Sequence, residues 1–408
     1  MQVRTDFDVV IVGGGIVGLA SAYKIASMRP EVKLAVLEKE DRLAAHQTGH
    51  NSGVIHSGLY YRPGSSKAET CTAGRKELIA FAKKNAIPHD ICGKIIVATD
   101  ERELSVMERI FQNGSANGVE GIAKIGPEEI RKIEPAATGI AGIHVPSAGI
   151  IDFTAVANKL AELIQTHGSH NRVLTAHKVI GFNKHDFYTS VVTSKSAIST
   201  RYLINCAGLQ CDRVARMDGV DPGVQIVPFR GDYHDLTEAA ASKVKNLVYP
   251  VPDPAFPFLG VHFTRMIAGG VECGPNAVFA FKREGYRKTD FDLRDTWDSL
   301  SHWSTWLLFL RHWRYGLGEY ARSFSKQLLL RQLQRLVPSI GLEDFRPGNA
   351  GVRAQALGPK GELVDDFKIE ATKHAIHVLN APSPAATASL AIGEHIAKLA
   401  AEQFELDN

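Results

Sequence analysis

Asp8-Val-Val-Ile-Val-Gly-Gly-Gly-Ile-Val-Gly18, with Lys33-Leu-Ala-Val-Leu-Glu38 close behind it, is the stretch whose reading decides the fold. Residues 8–12 are a β-branched run of the kind that forms a parallel strand buried on both faces. Residues 16–28, rich in Ala and Leu, read as a helix, and residues 33–38 as a second strand. The three together make a βαβ unit of about 30 residues. Between the first strand and the helix stands Gly13-x-Gly15-x-x-Gly18. Gly13 permits the tight turn, Gly15 lets a pyrophosphate approach the backbone, and Gly18 lets the helix pack on the strand. The helix N-terminus adds orphan N–H groups and positive potential. Glu38 ends the second strand 20 residues after Gly18. Its carboxylate can accept ribose hydroxyls and would repel a 2′-phosphate, which disfavours NADP. The motif alone does not choose between NAD and FAD.

Composition sets the frame around this unit. The 408 residues are 44% hydrophobic and 22% charged, near globular averages, which excludes disordered, fibrous and coiled-coil classes. That length implies two or three domains. Lys and Arg outnumber Asp and Glu by 47 to 44, an excess too small for a nucleic-acid partner but compatible with a basic pocket for a small acid. Cys71, Cys92, Cys206, Cys211 and Cys273 are scattered and form no CxxC pair, which argues for a reduced, cytoplasmic setting. No run of 18 uncharged apolar residues is present to span a bilayer. The N-terminus enters its strand almost at once, leaving no room for a targeting peptide.

Further along, residues 44–66 are rich in His, Gly, Ser and Tyr and read as a long functional loop. Helices are expected over about 68–85, from Pro127, and from Asp152 as N-cap. Strands are expected over 92–99, 202–205 and 374–379, with several more across 224–280; residues 290–336 read as mostly helical. The division that follows is a dinucleotide-binding domain of 1–85, 150–216 and 345–408. The second, α+β domain takes 86–149 and 217–344.

Longer strings carry a resemblance. His46-Gln-Thr-Gly-His-Asn-Ser-Gly-Val-Ile-His-Ser-Gly-Leu-Tyr-Tyr61, Ile226-Val-Pro-Phe-Arg-Gly-Asp-Tyr233, Gly274-Pro-Asn-Ala-Val-Phe-Ala-Phe-Lys-Arg-Glu-Gly-Tyr286, Gly351-Val-Arg-Ala-Gln-Ala-Leu357 and Asn380-Ala-Pro-Ser-Pro-Ala-Ala-Thr387 are the strings in question. Across residues 6–400 the chain resembles the FAD-dependent oxidoreductases of the D-amino-acid-oxidase type, and within them the L-2-hydroxyglutarate dehydrogenase/oxidase family. It departs from that family at Thr264-Arg-Met-Ile-Ala-Gly269, which lacks the usual Pro and Asp, and around 297–320. The resemblance implies a Rossmann-like FAD domain with an inserted α+β substrate domain and non-covalent FAD. It also implies oxidation of L-2-hydroxyglutarate to 2-oxoglutarate by hydride transfer to flavin N5. Electrons would pass to a quinone or another non-NAD acceptor. An amino acid or glycerol 3-phosphate is the alternative substrate class, and a non-catalytic flavin-binding assembly factor the rival of a different kind.

On this reading the cofactor contacts are Gly13, Gly15, Gly18, Glu38, Lys39, Thr48, Asn51, Ser52, Gly53, Val54, Ala207, Gly208, Ser383, Pro384, Ala385 and Ala386. The small residues of 46–57 would let backbone lie along a flat ring, and Pro382 would open the last helix, its dipole facing the flavin's pyrimidine edge. Taking the hydroxyl proton suits a neutral His. His56 is the first candidate and His262 the second. A dicarboxylate calls for Arg forks and hydroxyl donors: Arg230, Arg353, Lys282, Tyr60, Tyr61, Tyr233 and Ser383. The pairs His46/His50 and His374/His377 lack a third ligand, so no metal site is expected. Finally, residues 303, 306, 307, 310, 313 and 317 form an apolar helical stripe next to Arg311, His312 and Arg314. This is either a core face or a Trp-bearing basic surface for peripheral contact with a membrane.

Overall fold

A computed structural model of the chain describes residues 4–253, 260–404 and 406. The chain ends, and residues 254–259 of the expected strand-rich stretch, lie outside the described residues. The opening βαβ unit forms as read, with strand Phe7–Val12, helix Ile16–Met28 and strand Leu34–Leu37. These strands lie inside an eight-stranded sheet. Its parallel part runs Arg172–Leu174, Leu34–Leu37, Phe7–Val12, Ala197–Asn205, Ala375–Asn380. Val9, Ile11, Leu34 and Val36 pack under helices Ile16–Met28, Phe153–His167 and Ser389–Gln403 in one apolar cluster. Val10, Val12, Ala35 and Leu37 fill the opposite face, as strands buried on both sides must. Asp152 caps its helix as expected, accepting the Ala155 N–H at 2.9 Å.

The second sheet has nine strands, among them Lys94–Ala98, Ala141–Val145, Gln225–Leu236, Leu247–Pro250, His262–Arg265 and Phe345–Leu357. Alternation sorts its side chains: Ile95 and Val97 pack with helix Lys326–Leu333, whereas Ile96 and Ala98 join Leu247 and Tyr249 on the other face. Strand Phe345–Leu357 pairs antiparallel with Gln225–Leu236 along its whole length, from Gln225↔Leu357 to Leu236↔Phe345. Residues 345–357 therefore sit in the second sheet, and the expected boundary at 345 moves past Leu357. Its apolar residues satisfy either sheet, so only the pairing decides.

The end of the chain needs one more correction. Residues 382–388 form a turn, with Ala385 N–H on Pro382 O and Ala388 N–H on Pro384 O, both at 3.0 Å, and the helix starts at Ser389. Ser383 precedes a proline, and such residues avoid the helical region. Amides of a turn, not of a helix end, therefore stand here.

Candidate active site

The two sheets enclose a cleft of about 1550 Å³, larger than the roughly 300–1,000 Å³ that a drug-sized ligand needs. One end is the glycine loop. Gly13 has φ +115°, and a Cβ there would stand 2.4 Å from the Cys206 carbonyl oxygen. A Cβ on Gly18 would meet Gly13 O at 2.1 Å, so this residue packs helix on strand, as read, and does not line the cleft. Gly15 does line it, and a Cβ there would meet only Thr48 Oγ1, at 3.5 Å. That open cradle is what a close-lying pyrophosphate requires. Glu38 is held beside the loop by two bonds, accepting Gly14 N–H at 2.8 Å and Glu40 N–H at 2.9 Å.

The wall continues through Lys39, Thr48, Asn51, Ser52, Val54, Ala207, Gly208, Ser383, Pro384, Ala385 and Ala386. Gly53 lies just outside, shaping the turn at φ +65° with its N–H on Asn51 Oδ1. Lys39 has a task of its own. Its ammonium reaches Glu40 at 2.6 Å, Glu284 at 2.7 Å and His46 Nε2 at 2.9 Å. Glu40, His46 and Glu284 are the one group among the described residues close enough together for a metal ion. The Lys39 cation already occupies the centre, which repels a second one. His50 stacks on Tyr286 at 3.9 Å, and His377 is buried against Asn205 and Asp218.

The other end of the cleft gathers His56, His262, Tyr60, Tyr61, Tyr233 and Arg353. Register explains the set: Arg353 lies opposite Phe229, and Gly351 opposite Gly231, placing these residues on one face. The register shifts at Tyr233, a bulge of the sort that re-aims side chains near sites. Arg230 is one residue out of phase and is absent from the wall. It is buried instead, with Nε on Asp232 at 2.7 Å and Nη1 on Arg287 O at 3.0 Å. Lys282 lines the cleft two residues from Glu284, the partner of Lys39, and so belongs with the Glu38 end.

His262 Nδ1 lies 2.7 Å from Gly260 O. A carbonyl only accepts, so Nδ1 carries the proton and Nε2 keeps its lone pair. The ring stacks on Tyr249 at 3.9 Å. Burial pushes His262 down to about 3, and Lys94 and Arg353 act the same way against the Gly260 bond. His56 is also pushed down to about 3, by burial first and then by Lys94 and His262. Both imidazoles are therefore neutral at pH 7.

This has a measurable consequence. Unfolded imidazole takes a proton near pH 6.5, whereas the folded pair stays neutral down to about pH 3. Between these values the unfolded chain binds more protons, so stability from the pair is complete above about 6.5 and is lost as pH falls. Calorimetric melting temperature should drop across this window, and His262→Gln should flatten the drop. An unchanged slope in the variant contradicts the neutral assignment.

Sequence reading passed over Tyr249 and Lys94 behind this end, and a wall supplied by helix Leu104–Ala116. There Val106, Arg109, Ile110 and Asn113 face the cleft. Their spacing of three, four and seven was visible, but nothing in it separates a cleft wall from a core face.

A glycine cradle open to a pyrophosphate, joined to a basic, aromatic chamber, fits a dinucleotide-dependent oxidoreductase. The family model "FAD dependent oxidoreductase" (DAO) matches residues 8–399. The L-2-hydroxyglutarate dehydrogenase of Indibacter alkaliphilus is 48% identical over 400 residues, covering 98% of this chain and 100% of that one. The protein of the same name from Escherichia coli K12 is 45% identical, covering 96% and 92%. Among solved structures, the L-alpha-glycerophosphate oxidase of Mycoplasma pneumoniae with FAD bound superposes with a TM-score of 0.78 at 24% identity, covering 96% and 94%. The chain belongs to the FAD-dependent oxidoreductase family, in its L-2-hydroxyglutarate dehydrogenase branch.

Proposed function

We propose that this protein oxidises L-2-hydroxyglutarate to 2-oxoglutarate with bound FAD. The observation that carries the reading is a neutral His262, its Nδ1 bonded to Gly260 O so that Nε2 is the acceptor nitrogen, in the chamber that also holds Arg353 and Tyr233. Arg353 and the tyrosine hydroxyls hold the acid's carboxylates. His262 Nε2 accepts the C2 hydroxyl proton, and His56 completes the wall beside it. Gly13, Gly15 and Glu38 hold the pyrophosphate and the ribose of the adenosine half. Bound FAD supplies the acceptor for the hydride that leaves C2. An incoming carboxylate also raises the proton affinity of His262, because an opposite charge favours the imidazolium.

Anaerobic titration of the yellow protein against a panel of acids tests this. L-2-hydroxyglutarate should bleach the flavin much faster than its D enantiomer or lactate. Loss of the second carboxylate removes a charge-assisted contact of about 1.5–3 kcal/mol, or one to two decades in kcat/KM. Equal rates with lactate sink the dicarboxylate pocket, and bleaching by an amino acid or glycerol 3-phosphate alone moves the substrate class.

The electrons go on, in this proposal, to a quinone at a membrane surface. No helix among the described residues is long and apolar enough to cross a membrane. Helix Trp303–Phe324 buries Leu308 together with Ser304, Thr305, Glu319 and Ser323, while Trp303, Trp306, Leu310, Trp313 and Leu317 face outward. Phe291, Leu293 and Trp297 extend the exposed patch. Exposed apolar area of this extent marks an interaction site. Exposed Arg294, Arg311 and Arg314 beside it suit an anionic lipid surface.

A further inference from the structure

Lys94 opens strand Lys94–Ala98 and is 1% exposed. It pairs with Leu247 and so shares a face with Ile96, Ala98 and Tyr249, the face turned toward the chamber. Its ammonium lies 4.8 Å from the ring centroid of Tyr60 and 4.8 Å from that of Tyr249. Among the described residues no hydrogen bond or carboxylate pairs with it. The ionisable group that acts on it, Cys71, is neutral because burial raises that thiol to about 12. Burial lowers Lys94 itself to about 8, which leaves it mostly charged at pH 7. The three basic groups Lys94, His56 and His262 thus interact with one another, Lys94 and His262 buried and His56 partly open to the cleft, with no acid among them. A buried charge without a counter-charge is costly unless a ligand supplies one. A second orphan points the same way: among the described residues the buried Tyr60 hydroxyl has no hydrogen-bond partner, and Tyr60 lines the cleft.

We propose that Lys94 is a positioning residue for substrate binding, the buried cation that one substrate carboxylate balances, acting through Tyr60. The ammonium over the ring face fixes the phenol and draws electron density from it, which makes its O–H a stronger donor to a carboxylate oxygen. On the far side, Tyr249 passes the constraint to His262 through their stacked rings. Lys94 is absent from the cleft wall, so its charge reaches the acid through Tyr60. This rests on the acid occupying the His262 end of the cleft, as proposed above.

The test is calorimetric titration of FAD-loaded protein with glutarate, a dicarboxylate without the oxidisable hydroxyl, beside steady-state kinetics with L-2-hydroxyglutarate. Lys94→Met keeps the stem and removes the charge. It should weaken glutarate about 10-fold or more and raise KM by a similar factor while kcat holds, the signature of lost ground-state binding. Lys94→Arg should restore most of the affinity. Tyr60→Phe, which keeps the ring, should match the loss, and the double variant should lose little more, since both act along one path. The deficit should persist at high salt, because a buried charge is poorly screened. A folded Lys94→Met that binds glutarate as the wild type does overturns the proposal. If Lys94→Met does not fold, Tyr60→Phe decides alone, and an unchanged glutarate affinity there overturns it equally. Wild-type protein that binds no glutarate overturns the site reading itself, and the Lys94 assignment with it.

Discussion

His262→Ala keeps its FAD but is reduced by L-2-hydroxyglutarate about 10²-fold or more slowly than the unsubstituted protein, the usual share of a general base. The glycine loop, Glu38 and the 383–386 turn, proposed above to hold FAD, do not lean on this ring. Stopped-flow bleaching therefore isolates the proton-transfer role, with released FAD measured alongside. His262 stands ahead of His56 because its Nδ1 is tied to Gly260 O and its Nε2 is left as acceptor. The His56 backbone N–H is held by Thr387 Oγ1 at 3.1 Å, an anchor for the chain and not for the ring. A His56→Ala variant should consequently lose less. If it loses 10²-fold and His262→Ala reduces at the wild-type rate, His56 is the base. If neither rate changes, the proton leaves by another route.

The second large effect concerns the outward face of helix Trp303–Phe324. Changing Trp306, Leu310 and Trp313 together to Ser should abolish binding to anionic liposomes and activity with a long-chain quinone. Activity with a soluble dye should survive. The three side chains are 45%, 62% and 54% exposed, so their loss opens no core cavity. The helix is held from its other side, where Leu308 and Phe309 pack with Val227, Phe279 and Leu357. Each apolar side chain entering an interface contributes about 25 cal/mol per Å² removed from water, and each nearby cation roughly 1 kcal/mol. Removing three anchors cuts the centre out of the apolar stripe and leaves Trp303, Leu317 and the side chains of 291–297 as separate remnants beside Arg311 and Arg314. A folded triple variant that still sediments with liposomes shows that this face is not the docking surface. One that unfolds or sheds its flavin shows that the stripe supports the fold.

Local pattern determined a great deal here. The strand–glycine–helix–strand opening was legible because backbone sterics write it directly. Only glycine tolerates φ +115° at position 13, and no side chain fits between position 18 and Gly13 O. Strand and helix periods placed several further elements, such as 68–85 and 202–205, since a buried face must repeat every 2 or 3.6 residues, but not helix Leu104–Ala116 or the strands between 123 and 193. What periodicity does not encode is which partner covers a face. The stripe of 303–317 reads as core or as surface until the neighbouring sheet shows which side it takes. Strand Phe345–Leu357 satisfies either sheet until its pairing with Gln225–Leu236 is seen. Arg230 and Arg353 look equivalent as carboxylate ligands until the register turns one toward Asp232 and the other toward the cleft. Lys94 is the sharpest case. Nothing local sets it apart within the strand expected over 92–99, and only long-range packing of residues 60, 94 and 249 makes it a buried cation between two rings. The sequence determined the dinucleotide-binding unit because that information is local; the chamber proposed for the substrate was decided by tertiary structure, because its charges come from strands far apart in the chain.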